Sequence, residues 1–412
     1  MKPRSSTDNG QGDESKEGNP LEGLPLLEDL PPLDGAKVLL RVDFNVPLGP
    51  AGPDGSKTVE DDFRIRAAVP TISWLVDRGA SVTAVTHLGR PKGAPDPEYS
   101  VGPLRPILAE VAPGVKLEEN LRFEPGEKHN DPEFVRRLVD GFDVYVNDAF
   151  GASHREDASI VGPPTWLPSA AGRLLQHEVE VIGELLDAPE RPFVAVVGGA
   201  KISDKLGLLR SLVDRVDLVV VGGAMAFTFL HALGHKTGSS LMELDKVTEC
   251  KELIEKAGDR LVLPVDVVAL SPDGEFGPGS AQSGEVQILG VDLPIGWKGL
   301  DIGPKSAEVF AAALGSAKTV LWNGPMGAFE DHRFCEGTKA VAEEVAASPA
   351  RTIVGGGDSA AAIDSLGLSG EVSFVSTGGG AMLKLIEFGD LPGLAALRKA
   401  ENAPSSRRPA HA

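Results

Sequence analysis

Short apolar runs rich in valine and isoleucine recur along this chain and alternate with helical patterns. The runs are "KVLLRVD", "SVTAVTH", "DVYVND", "FVAVVGG", "DLVVVGG", "LVLPVD", "KTVLWN", "RTIVGGG" and "EVSFVS". That alternation predicts an α/β fold of mainly parallel sheets flanked by helices. No similarity recurs at a fixed period of about 20 to 50 residues, so a repeat array is excluded. At 412 residues the chain is too long for one ordinary core, and two domains are expected.

The helical segment "AGRLLQHEVEVIGELL" and the breaker-rich "DAPERP" after it divide the list of strands, and the domain boundary is placed there. The expected layout is a disordered acidic extension over 1–23, a first domain over 24–172 and a connecting hinge helix over 173–192. A second domain over 193–385 follows. Residues from about 404 onward form a small polar tail. The longest apolar run, Leu218 to Leu230, is too short for a bilayer and is broken by Gly222 and Gly223. With no apolar signal core at the N-terminus, a cytoplasmic protein is expected. A formal charge of -20 argues against nucleic-acid or anionic-membrane partners and hints at a salty cytosol. Cys250 and Cys335 have no metal-ligand spacing and are expected to be reduced.

Ligands of open α/β sheets bind outside the carboxyl ends of the strands. In the first half those ends carry Asp43 and Asn45, His87 and Arg90, and then Asn147 and Asp148 leading to Arg155. Asp43 and Asn45, two apart, leave a strand on the same side and could hold a hydroxyl-bearing substrate; an Asx turn would use the same residues. His87 could equally be structural, and Arg64, Arg122 and Arg155 taken singly could be surface arginines, although arginine suits bidentate phosphate and carboxylate binding.

In the second half the ends carry Gly198, Gly199 and Lys201, then Gly222 and Gly223, Asn323 and Gly324, the run Gly355 to Asp358, and Thr377 to Gly380. "VVGGAKISDK" is neither a Walker loop nor a GxGxxG fingerprint. Lys201 and Lys205 are expected on one face of a helix whose apolar stripe is Ile202, Leu206, Leu209 and Val213. Two cations at a helix N-terminus suit an anion; two solvated lysines would give the same pattern. Asp358 could reach a magnesium ion carried by nucleotide phosphates, or act as a helix N-cap. A basic site on one lobe and a glycine-rich site on the other point to group transfer between them.

These stretches together resemble the phosphoglycerate kinases. The resemblance rests on "RVDFNVP", "FRIRAAVPTI", "THLGRP", "ENLRF", "VNDAFGASHR", "VVGGAKISDK", "GGAMAFTFL", "LPVD", "LWNGPMGAFE", "VGGGDSAAAI" and "VSTGGGAMLKLIEFGDLPG", in the family's order from about Arg41 to Gly393. It implies two Rossmann-like three-layer domains joined by a hinge helix, with residues 386–403 returning to the first domain. The 3-phosphoglycerate site then falls on Asp43, Asn45, Arg64, His87, Arg90, Arg122 and Arg155. The nucleotide site falls on Gly199, Ala200, Lys201, Lys205, Gly223, Asn323, Pro325, Glu330, Gly356, Asp358 and Ser359. Ser359 stands where a threonine is usual, and Ala152 replaces a common threonine. "GASHREDASIVG" looks like the archaeal branch.

The resemblance implies reversible phosphoryl transfer between 1,3-bisphosphoglycerate and ADP, with Mg²⁺, in a monomer. Arg64 and Lys201, from opposite lobes, are the candidates for stabilising the transferred group, with backbone donors at the turns of Gly356 and Gly379. Asp358 is the candidate magnesium residue. A two-lobed solute-binding protein would share the architecture but normally carries an export signal. A dehydrogenase would need the missing fingerprint, and a catalytically silent protein of the same fold is separated only by assay.

Overall fold

The computed structural model describes residues 20–52, 57–277 and 279–401. The first sheet holds β1 (Lys37–Arg41), β2 (Ser81–Val85), β3 (Lys116–Leu117), β4 (Val144–Asn147) and β5 (Ser169–Ala171). They lie in the order β3-β2-β1-β4-β5, and every pair is parallel. The second sheet starts with β6 (Phe193–Val197), β7 (Leu218–Val221) and β8 (Leu261–Val262). A small antiparallel sheet of β9 (Asp266–Leu270), β10 (Val286–Gly290) and β11 (Lys298–Ile302) interrupts it. The second sheet then closes with β12 (Thr319–Asn323), β13 (Arg351–Gly355) and β14 (Phe374–Val375), in the parallel order β14-β13-β12-β6-β7-β8.

Each large sheet reverses its strand order once, between β1 and β4 and between β6 and β12. Such a reversal leaves a crevice at the carboxyl ends of the two central strands, because the following loops diverge to opposite faces. The central strands are apolar along their length because helices cover both faces. Along β6, Val194 and Val196 enter one core, whereas Phe193, Ala195 and Val197 enter another. The second of these cores is continuous with Leu39 and Tyr145 of the first sheet.

The helix Arg173–Asp187 runs between β5 and β6 and buries Leu175, Val179, Ile182 and Leu185. Near the chain's end, the helix Pro392–Glu401 returns to the first sheet. Its Gly393 N–H donates to the Ser153 carbonyl at 2.9 Å, and Leu394 and Leu397 are fully buried. Arg398 binds Asp390 at 2.8 Å and the Glu22 carbonyl at 2.9 Å, and also meets the Pro20 carbonyl. Pro20 is buried, so described structure begins inside the expected 1–23 extension; residues 1–19 and the expected tail lie outside the described residues.

The run "LVLPVD" divides into two strands of different sheets, because Pro264 cannot donate to a ladder. β3, β5 and β11 carry no strong β-branched signal, whereas β10, "VQILG", carries Val286 and Ile288 and was overlooked. β3 is a two-residue edge strand, and "SAA" and "KGLDI" become strands only by pairing.

Candidate active site

The first half of the site grows from the ends of β1, β2 and β4. Asp43 and Asn45 follow β1, and the short helix Phe63–Ala67 presents Arg64 to both. Its Nη1 donates to Asp43 Oδ2 at 3.1 Å and to the Asn45 carbonyl at 3.3 Å. Asn45 Oδ1 in turn accepts the Gly89 N–H at 2.8 Å, joining it to the turn after His87. Arg122 is buried; its Nη1 donates to the Gly89 carbonyl at 2.7 Å and its Nη2 lies 3.8 Å from Asp157. The Nε–H of Arg122 is buried without a partner among the described residues, an unspent donor beside the pocket.

His87 is buried, and burial pushes its pKa well below the usual histidine value. The charges of Arg41, Arg122, Arg155 and Arg64 act in the same direction. Asp43 and Asp157 offset part of this positive charge, at Arg64 and Arg122, and an anionic ligand would offset more. Arg90 stands exposed on the turn beyond His87.

The second half is built from glycine turns that cross at the β6/β12 reversal. Gly198 N donates to the Asn323 carbonyl at 2.8 Å, Gly199 N to the Pro325 carbonyl at 3.0 Å, and Gly223 N to the Met326 carbonyl at 3.0 Å. Gly223 has φ +69, and a Cβ there would sit 2.6 Å from Gly199 N and O, so both conformation and space require glycine. Ser359 Oγ accepts the Gly324 N–H at 2.5 Å, and Asn323 Nδ2 donates to the Gly355 carbonyl at 2.5 Å. Beneath Gly223, Phe227, Leu230, Leu300 and Met326 line a small cavity of about 10 Å³ together with Asp301.

Lys201 and Lys205 do not share a helical face as expected. Ile202 is fully buried, Glu243 takes the Ser203 N–H at 2.9 Å, and the helix Leu206–Leu212 starts only after Lys205. Lys205 turns inward to Asn323 Oδ1, and burial lowers its pKa. Lys201 and Ala200 stay exposed at the mouth, as does Glu330. Asp358 is not an N-cap. Gly356 holds that place for the helix Gly357–Ser365, and the exposed Asp358 carboxylate lies in its first turn, close enough to bear on Lys205. That helix and the helix Gly379–Phe388 both begin without a side-chain cap, so their first N–H groups remain available to an anion.

The two halves touch through glycines. A Cβ on Gly378 would lie 2.5 Å from Gly151 Cα, and one on Gly380 would reach His154. Glu178, on the connecting helix, was not singled out from the sequence; its signal was a lone acid within an apolar stripe. Fully buried, it accepts from Ser376 Oγ at 2.8 Å, and from Thr377 N and Oγ1 at 2.7 Å each. At the same helix's start, Asp148 accepts the Leu174 N–H at 2.9 Å. Sequence reading also missed Arg41, a fully buried charge at the end of an apolar strand.

Burial pushes both Asp148 and Glu178 up to about 7, outweighing their hydrogen bonds. A raised acid keeps its proton in the folded state after the unfolded chain has lost its own. Its contribution is complete below the ordinary carboxylate range and is lost as pH rises to about 7. Glu178→Gln is therefore expected to remove on the order of 3 kcal/mol of the stability decline between about pH 4.5 and 7. Urea unfolding of both proteins across that window checks it; parallel declines would mean that Glu178 ionises normally.

The Phosphoglycerate kinase family matches residues 27–118 and 107–388 of this chain. A phosphoglycerate kinase of Rubrobacter xylanophilus is 48% identical over 392 residues, covering 90% of this chain and 97% of that protein. One from Chloroflexus aurantiacus is 46% identical over 403 residues, covering 89% and 97%. The solved phosphoglycerate kinase of Coxiella burnetii superposes with a TM-score of 0.79 at 35% identity, covering 91% of this chain and 99% of that one. The Pyrococcus horikoshii enzyme gives 0.78 at 30% identity, covering 92% and 100%. The two sequence relatives are bacterial and lend no support to the archaeal, salt-adapted placement expected above.

Proposed function

The chain belongs to the phosphoglycerate kinase family, and from that premise we infer that it catalyses reversible phosphoryl transfer between 1,3-bisphosphoglycerate and ADP, giving 3-phosphoglycerate and ATP. The observation that carries the chemistry is the pairing of an arginine-rich site at the strand ends of the first sheet with uncapped glycine turns after β13 and β14 of the second. Both acceptors, a carboxylate and a diphosphate, are already anions at neutral pH, so no general base is needed. His87 is accordingly free to serve in binding. Alignment and charge stabilisation on the moving group do the rest.

In this reading Asp43, Asn45, His87, Arg90, Arg122 and Arg155 hold the three-carbon substrate. Gly199, Ala200, Lys205, Gly223, Asn323, Pro325, Glu330 and Ser359 hold the nucleotide. Arg64 and Lys201 stabilise the group in transit, assisted by backbone donors at Gly356 and Gly379. The test is a coupled assay of 3-phosphoglycerate with MgATP; absence of turnover would leave only a silent protein of the same fold. No helix among the described residues is long and apolar enough to cross a membrane. We take the enzyme to be a cytoplasmic monomer, which cell fractionation and sedimentation would test.

Magnesium would arrive with the nucleotide as part of the substrate. Among the described residues no group of three or more His, Cys, Asp or Glu side chains could cage an ion. The exposed, uncapping Asp358 fits the one carboxylate that a phosphate-borne Mg²⁺ commonly takes. Asp358→Asn is expected to raise the magnesium concentration needed for half-maximal rate about tenfold, as loss of one charge-assisted ligand would. An unmoved magnesium titration would remove Asp358 from this role.

Closure is part of the proposal, because the donors must come within about 3 Å of the reacting oxygens, whereas an open cleft must admit a nucleotide. The hinge is the helix Arg173–Asp187, tied to the glycine turn through Glu178, with the helix Pro392–Glu401 as a second crossing. Small-angle scattering should give a smaller radius of gyration with both substrates than with either alone. Identical values in every state would rule closure out.

A further inference from the structure

The state of His87 is set from behind the pocket. Arg41, fully buried at the end of β1, donates from Nη2 to His87 Nδ1 at 3.2 Å and from Nε to Ser159 Oγ at 2.8 Å; Nη1 meets the Val42 carbonyl. Ser159 passes the connection on, its Oγ donating to Glu127 Oε1 at 2.6 Å and its N–H to Oε2 at 2.9 Å. Glu127 and Ser159 are fully buried, and the Tyr145 hydroxyl donates to the Ser159 carbonyl at 2.7 Å, holding that residue in place.

A guanidinium has five donors, no acceptor and a permanent charge. Its contact with Nδ1 is therefore possible only if Nδ1 offers a lone pair. A ring with a lone pair on Nδ1 is not imidazolium, and as neutral imidazole it carries its proton on Nε2. Asp43 does not compete, since its Oδ1 is 3.9 Å from Nδ1. The other charges facing the ring, Arg122, Arg155 and Arg64, also oppose a cation there.

We propose that Arg41, braced through Ser159 by Glu127, fixes His87 as a neutral ring with its proton on Nε2, so that this histidine meets the substrate as a hydrogen-bond donor and not as a charge or base. Ser159 and Glu127 are positioning residues that act through Arg41. A neutral donor fits a pocket whose charge comes from arginines, because the pocket's own charge then stays constant across the pH range in which a free histidine would titrate. The inference rests on the reading of this pocket as the 3-phosphoglycerate site.

The test uses the full chain labelled with ¹⁵N, with the His87 ring signals assigned by their loss in His87→Gln. Expected are a protonated Nε2 and a bare Nδ1, both unchanged from about pH 5.5 to 8, where an ordinary imidazole titrates. A proton on Nδ1, or a normal titration, overturns the proposal whether or not the protein turns over substrate. Ser159→Ala breaks the bridge while leaving the Arg41 and Glu127 side chains in place. It should produce mixed tautomers or a titration step, and raise KM for 3-phosphoglycerate about 3- to 10-fold with a smaller change in kcat. An unchanged ring in Ser159→Ala would refute the bracing. Glu127→Gln should act in the same direction; should it fail to fold, Ser159→Ala decides the matter.

Discussion

Replacing Arg64 by alanine is expected to lower kcat by about 10³ to 10⁵, the range seen when a guanidinium that meets a phosphoryl group in transit is lost. That corresponds to roughly 4 to 7 kcal/mol of barrier. The geometry favours an effect on kcat rather than on binding. Arg64 is only half-buried and is steered by Asp43 and the Asn45 carbonyl from one edge, leaving the rest of its fork free towards the cleft. The buried Arg122 and its neighbours would continue to hold the substrate. Steady-state kinetics in the ATP-consuming direction decide the question. A raised KM with unchanged kcat would assign Arg64 to uniform binding.

Gly379→Ala is expected to cost about 100-fold in kcat through geometry alone. A Cβ at Gly379 would fall against Cα and N of Gly356, well inside the 3.0 Å that real Cβ atoms keep. Both neighbours are backbone, so relief requires the two turns to separate by about 1 Å, a displacement that can cost on the order of 10²-fold in a site that works by alignment. Gly357 provides the contrast, because a Cβ there meets nothing within 4 Å and its φ is not positive. Gly357→Ala should therefore lose far less. Equal losses in the two variants, measured at saturating substrates with intact folding, would show that backbone separation is not the cause.

The class of fold and most of its parallel strands were legible in the chain because a strand covered on both faces has to be written as a continuous apolar run. The glycine turns and strand-end polar residues were legible for a related reason: backbone that must cross at close range excludes every other side chain, as at Gly223 against Gly199. Motif resemblance then placed the candidate ligands. The strands β3, β5 and β11 were not legible, since their pairing partners, and not their own side chains, make them strands.

Local periodicity also misled in places. Lys201 and Lys205 are spaced for one helical face, but Glu243, forty residues away, captures the Ser203 N–H and delays the helix. Asp358 has the sequence setting of an N-cap, and Gly356 takes that position because its φ of +104 lets the chain turn two residues earlier.

By itself the sequence determined the alternation of buried strands and helices, the places where only glycine fits, and the chemical types gathered at the strand ends. All of these follow from properties a residue carries wherever it lies: its bulk, its charge and its allowed backbone angles. The tertiary structure alone decided which charges would share a pocket and in what state. Burial first, and then four arginines from separate segments, push His87 towards the neutral form, and burial raises Glu178 even though a turn nearly two hundred residues away hydrogen-bonds its carboxyl. Desolvation and Coulomb interactions depend on distance in space, and that distance exists only once the chain has folded.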